Sequence, residues 1–99
     1  MDRIHHVAIT VEDIDSALAW YSDRFHFLVE WKDDSWALLR FDNIALALVL
    51  PDQHPPHVAF ETDDVSAFGT PTPHRDGTAS VYVRDNHNNV VEYLSVPES

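Results

Sequence analysis

The chain writes nearly the same strand twice, and no other feature narrows its fold as much. His6-Val7-Ala8-Ile9-Thr10-Val11-Glu12-Asp13-Ile14 aligns with His57-Val58-Ala59-Phe60-Glu61-Thr62-Asp63-Asp64-Val65. His, Val, Ala and a later Asp are identical, and each copy opens on its histidine. Two copies are too few for a solenoid, whose units bury their faces against several neighbours. They describe one domain made of two related halves, and 99 residues is the length of one domain. The halves divide at "PDQHPPH", whose three prolines break regular structure. The reading is a single domain over 1–99: a first module at 1–50, a linker at 51–56 and a shortened second module at 57–99.

Periodicity fills in the halves. Alternation over Ile4 to Val11 puts His6, Ala8 and Thr10 on one strand face and Val7, Ile9 and Val11 on the other. Asp13 is placed to cap a helix over 14–24, with Asp15 in its first turn and Ile14, Ala17, Leu18, Tyr21 and Phe25 at helical spacing. Strands are predicted at 27–32, 36–41 and 44–50, separated by short turns at Asp33-Asp34 and Asp42-Asn43. This is a β-α-β-β-β unit. After the second copy of the first strand, "DDVSAFG" leaves room for about one helical turn, and "TPTPHRDG" reads as extended or irregular. Strands at 78–84 and 90–96 close the chain around the turn "DNHNN".

Charge and composition exclude several functions. With six Lys plus Arg and a formal net charge of −11, the surface repels nucleic acid and anionic membranes alike. There is no cysteine, hence no thiolate chemistry or disulfide. The start "MDRIHHVAIT" is unlike a signal peptide, and no apolar run approaches about 18 residues. A cytoplasmic location is expected. Neither a phosphate-binding glycine loop nor a serine nucleophile motif is present.

One position stands out chemically. In the last strand, "NVVEYLSV", Glu92 shares a face with Val90 and Leu94, so a carboxylate falls in the middle of an apolar strand. Burying it alone would be costly, and a cation would offset that cost. His6 and His57 hold equivalent places in the repeat. Two imidazoles and one carboxylate are a common ligand set for a divalent transition metal with open positions.

The repeat, the β-α-β-β-β unit and the strand-centred His, His and Glu resemble the vicinal oxygen chelate superfamily. That group includes glyoxalase I, fosfomycin-resistance enzymes, methylmalonyl-CoA epimerases, extradiol dioxygenases and bleomycin-binding proteins. "HVAITVEDIDSALAWYSDRFHF" resembles its opening strand and helix, and "VYVRDNHNNVVEYL" its closing hairpin. The resemblance implies an α+β fold of the glyoxalase/bleomycin-resistance/dioxygenase type. Its paired βαβββ modules would have the second truncated, and His6, His57 and Glu92 would be metal ligands. The chain departs from the pattern at His26, where glycine is frequent, and at Asp85-Asn86-His87-Asn88, where the turn is commonly Asp-Pro-x-Gly. Asn88 tolerates the left-handed conformation that the glycine would supply.

Within the superfamily, glyoxalase I adds a Glu on the last strand of the first half, but "IALALVL" has none. Fosfomycin-resistance enzymes use basic side chains, and Lys32 is the only lysine. The extradiol signature spacing is matched by His74, Val81, Tyr82 and Glu92 in "PHRDGTASVYVRDNHNNVVE". That resemblance implies Fe(II), with Mn, Ni or Zn as other possible ions, bound beside a small oxygen-rich organic substrate. His74 would be acid/base and Tyr82 a hydrogen-bond donor. The alternatives are a glyoxalase-like lyase, isomerase or epimerase, and a metal-free protein binding a cationic drug of the bleomycin type. A homodimer is expected, because the abbreviated half leaves sheet edges and apolar surface to cover.

Overall fold

The computed structural model describes residues 1–97. Its contacts divide the chain into two units, one of residues 6–56 and one of residues 57 onward together with 1–5. Among the described residues no helix is long and apolar enough to cross a membrane.

The first unit contains β1 (Ile4–Thr10) from His6 on, α1 (Ile14–Ser22), β2 (Leu28–Lys32), β3 (Trp36–Arg40) and β4 (Ala45–Val49). The strand order is β2-β3-β4-β1, with β1 parallel to β4 and the other pairs antiparallel. Asp13 is extended, and its carboxylate accepts the Ser16 N–H at 2.8 Å, a cap worth about 1 kcal/mol. From that start Ile14, Ala17, Leu18 and Tyr21 turn toward Ala37, Leu39 and Leu48 on the sheet, beside Ile9 and Val11. The opposite sheet face gathers Ala8, Leu38, Ala45, Ala47 and Val49, with Trp31 and Trp36 packed against them. This is the alternation expected of β1. The helix stops at Ser22, short of the expected 24, although Phe25 N–H still reaches the Tyr21 carbonyl at 2.9 Å. The β2–β3 turn is held by Asp33, which accepts from the Ser35 N–H, the Ser35 hydroxyl and the Trp36 N–H.

The second unit repeats the plan in reduced form. It has β5 (His57–Glu61), a 3-10 turn (Val65–Ala67), β6 (Thr72–Pro73), β7 (Ala79–Arg84) and β8 (Val90–Ser95). The order is β5-β8-β7-β6, with β5 parallel to β8 and the rest antiparallel, the same pairing scheme as the first unit. Residues 1–5 join this unit: Glu61 N–H donates to the Arg3 carbonyl at 3.0 Å, and the two side chains pair at 3.1 Å. Asp64 starts the short turn as Asp13 starts the helix, accepting the Ser66 N–H at 3.0 Å. Val65 is buried here and Phe68 stacks on Tyr93 with centroids 3.8 Å apart. Pro71 and Pro73 offer no N–H to a ladder, which limits β6 to two residues. The closing turn folds on Asp85, which accepts from the N–H groups of His87 and Asn89, and Asn88 takes φ 70°. Asparagine thus does what glycine would do there.

Candidate functional site

Glu92 lies at the centre of β8 and is 1% exposed. Its strand parity turns it, with Leu94, to the buried face. The register sets its neighbours: Ala59 of β5 on one side and Tyr82 of β7 on the other. Ala59 is small enough to leave room over the carboxylate. Two residues before it, on the same face of β5, comes buried His57. Its Nε2 is 2.9 Å from Glu92 Oε1. Tyr82 packs edge-on to the His57 ring, with centroids 5.3 Å apart.

His74 precedes β7, yet the loop delivers it to the same cluster. Its N–H donates to the Thr78 carbonyl at 2.8 Å, and the Gly77 N–H returns to the His74 carbonyl at 3.1 Å. Asp76 braces the loop by accepting from both the N–H and the hydroxyl of Thr78. Gly77, at φ 90°, supplies the left-handed residue this closure requires. The imidazole therefore hydrogen-bonds the Ser80 hydroxyl and lies 3.9 Å from Glu92 Oε2. Burial, with the Glu92 carboxylate next to it, pushes the Tyr82 phenol well above its ordinary 10.0. Tyr82 accordingly keeps its proton throughout the neutral range and can act as a donor.

Of the five residues singled out by sequence, His57, His74, Tyr82 and Glu92 are thus gathered in the second unit. His6 is in the first unit, buried on β1 and opposite Ala45 of β4. Ser80, fully buried and bonded to His74, was not among the five. Its signal was a hydroxyl two residues from Tyr82, on the same strand face.

Comparing registers shows how unequal the halves are. Ala8 faces Ala47 in the first unit as Ala59 faces Glu92 in the second. Leu38 faces Ala47 as Tyr82 faces Glu92, and Trp36 faces Val49 as Ser80 faces Leu94. The counterparts of Glu92, Tyr82 and Ser80 are therefore Ala47, Leu38 and Trp36. One half kept the polar chemistry, and the other filled the same positions with apolar side chains.

The chemistry of the second unit suits a cation. Ligand atoms each about 2.1 Å from one ion, on neighbouring octahedral corners, are about 3 Å apart. The 2.9 Å between His57 Nε2 and Glu92 Oε1 fits that spacing.

Comparisons with known proteins agree with this architecture. A profile of the Glyoxalase/Bleomycin resistance protein/Dioxygenase superfamily matches residues 3–70. No curated protein matches. Among solved structures, a methylmalonyl-CoA epimerase in complex with methylmalonyl-CoA and NH4+ is 19% identical. The alignment covers 96% of this chain and 94% of that one, with a TM-score of 0.80. A variant of the Streptomyces coelicolor methylmalonyl-CoA epimerase, bound to 2-nitronate-propionyl-CoA, is 20% identical over 97% and 98% of the chains, with a TM-score of 0.79. A superfamily member from Vibrio splendidus is 11% identical over 97% and 100%, with a TM-score of 0.71. At these identities the likeness is one of fold.

Proposed function

The chain belongs to the Glyoxalase/Bleomycin resistance protein/Dioxygenase superfamily, and from that premise we propose that it is a metal-dependent enzyme acting on a small, oxygen-rich organic molecule. The observation that carries the reading is the buried His57–Glu92 contact, with His74 3.9 Å from the same carboxylate and Tyr82 opposite Glu92 on the next strand. His6, His57 and Glu92 are all buried, and they are the ligands this reading assigns to the ion. A divalent ion bound by them would act as a Lewis acid toward substrate oxygens, with iron(II) favoured and manganese, nickel or zinc as alternatives. His74 would take or return a proton, and Tyr82 would donate a hydrogen bond to a developing oxyanion.

The inequality of the halves supports a choice between reactions. Exchanging a proton between two substrate faces is most directly done by two bases, one on each side. In the first unit Glu30 is already paired with Arg40 at 3.2 Å. It lies on β2, three strands from β1, or about 14 Å at ordinary strand spacing. Proton-handling groups gathered in one half favour an extradiol-type dioxygenase. The epimerase reading stands second, on the fold shared with methylmalonyl-CoA epimerases.

The test is to load the protein anaerobically with iron(II) and follow oxygen uptake and a yellow ring-opened product across a catechol panel. No uptake, with epimerisation of an acyl thioester or conversion of a hemithioacetal by the nickel, manganese or zinc form, selects the second reading. Tight binding of an organic cation without turnover in any metal form selects the drug-binding alternative. We also propose a homodimer. Trp20, Phe25, Leu28 and Val29 remain exposed at the end of α1 and on edge strand β2. Light scattering after size exclusion should give twice the chain mass, and a monomer at micromolar concentration would refute it.

A further inference from the structure

The connection between β6 and β7 is a hairpin with a very short tip. Thr72 faces Ser80 and Pro73 faces Ala79. The His74 N–H then donates to the Thr78 carbonyl at 2.8 Å, which leaves Arg75, Asp76 and Gly77 as a three-residue loop. A loop of this length ends on a left-handed residue, and Gly77 supplies it at φ 90°. Asp76 stiffens the tip, its Oδ1 accepting the Thr78 N–H at 3.0 Å and the Thr78 hydroxyl at 2.7 Å. The two residues that build the loop also make an Asp-Gly peptide. The other glycine of the chain follows Phe68, so Gly77 alone is preceded by a side-chain carboxyl.

Such a peptide has a reaction of its own. Glycine has no β-carbon to obstruct attack by its nitrogen on the side-chain carboxyl carbon of the preceding aspartic acid. A C–N bond forms, a C–O bond breaks, and the carboxyl hydroxyl leaves as water with the proton of the nitrogen. The cyclic imide then takes water back at one of its two C–N bonds. Opening at the main-chain carbon leaves the backbone running through the side chain, one carbon longer. The former main-chain carbonyl becomes a free carboxylate. Water is the only co-reactant.

We propose that Asp76–Gly77 is a site of spontaneous isoaspartate formation, which the closed hairpin holds off and which, once formed, withdraws His74 from its place. In the closed loop both reacting groups are engaged. The carboxylate is held on Thr78, beyond Gly77, and the Gly77 N–H donates to the His74 carbonyl at 3.1 Å. Ring closure requires these bonds to open, so the reaction proceeds through local opening of the hairpin. Afterwards an extra carbon sits in a loop whose length sets both backbone bonds to His74, and the brace on Thr78 has become part of the backbone. The hairpin then no longer delivers the imidazole to Ser80 and to within 3.9 Å of Glu92. The effect on catalysis rests on the function proposed above; the modification does not.

The full chain is aged for weeks at neutral pH, folded and in urea. Isoaspartate is located by peptide mapping and counted with an isoaspartyl methyltransferase and labelled S-adenosylmethionine. It should form at residue 76, and about tenfold or more faster in urea, because several hydrogen bonds must open in the folded protein. Thr78→Val removes the hydroxyl bond to Asp76 and should speed the folded reaction by about two- to tenfold. Asp76→Glu, whose longer side chain disfavours the imide, should abolish it. Should Thr78→Val fail to fold, the ratio of folded to urea rates decides. In the modified fraction the His74 amide hydrogen should exchange with water faster than in fresh protein. No isoaspartate at residue 76 in urea, equal rates folded and unfolded, or unchanged His74 exchange after modification would each overturn the proposal. These measurements need neither metal nor turnover, so a protein without enzymatic activity would sink the functional reading and leave this one standing.

Discussion

Replacing Glu92 by glutamine should make the metal-free protein more stable while abolishing its response to metal. The side chain is 1% exposed, and its carboxylate is 2.9 Å from His57 and opposite Tyr82. Taking a carboxylate out of water costs several kcal/mol, a cost that a neutral side chain of the same shape does not carry. Glutamine has nearly the same shape. Its carbonyl can accept from Tyr82 and its amide can donate to His57, so no buried group is left unsatisfied. The metal-free variant should therefore unfold about 1–3 kcal/mol above the metal-free wild type. At a hundredfold excess over Kd, metal should stabilise the wild type by about 2.7 kcal/mol. In a domain of this size that is about 10–20 °C in Tm. The variant should show almost none of this rise. Thermal unfolding followed by circular dichroism, with chelator and with manganese or zinc, gives all four values. An equal metal-induced rise in wild type and variant would refute Glu92 as a ligand. A metal-free variant clearly less stable than the metal-free wild type would refute the argument from buried charge.

Three further outcomes are expected. Protein purified without chelator should carry about one divalent ion per chain, the stoichiometry of a single three-ligand site. Elemental analysis should find most of it gone in His57→Ala, and stoichiometric metal in a His6/His57 double variant would rule the site out. His74→Ala should slow turnover by about two to four orders of magnitude, the range for losing a general acid/base, while metal content stays intact; parallel loss of metal would mean that His74 belongs to the ligand set. In the β2–β3 turn, burial works to raise the Asp33 carboxyl, but hydrogen bonds from Ser35, Trp31 and Trp36 outweigh it and hold it below its ordinary 3.8. A depressed pKa adds stability above the unfolded value and loses it as pH falls through the folded one. Asp33→Ala should thus be less stable than wild type at pH 7, with the gap closing in acid below the ordinary carboxylate range. A gap that is constant with pH would show that the turn owes nothing to the charge.

Much of this protein is legible in local sequence, because local rules act over a few residues. The alternation in β1 assigns Ala8 to one face and Ile9 and Val11 to the other, and the two packed clusters divide them that way. Asp13 marks the helix start by its ability to accept an N–H, and Asn88 marks the closing turn by its tolerance of φ 70°. The repeat foretells that both halves share one pairing scheme, since similar strands meet similar neighbours. It also points to His57 and to the oddity of a mid-strand Glu92. What separates residues in sequence and joins them in space was left to the tertiary structure. His74 comes eighteen positions before Glu92, in a loop whose closure depends on Thr78, Gly77 and Asp76; only that closure brings its ring to Ser80 and within 3.9 Å of the carboxylate. The pairing of Tyr82 with Glu92, and of their counterparts Leu38 and Ala47, follows from strand register, which long-range packing sets. Parity says which face a side chain takes; register says what it meets there, and for Tyr82 that difference separates a strand aromatic from the cross-strand neighbour of a buried carboxylate.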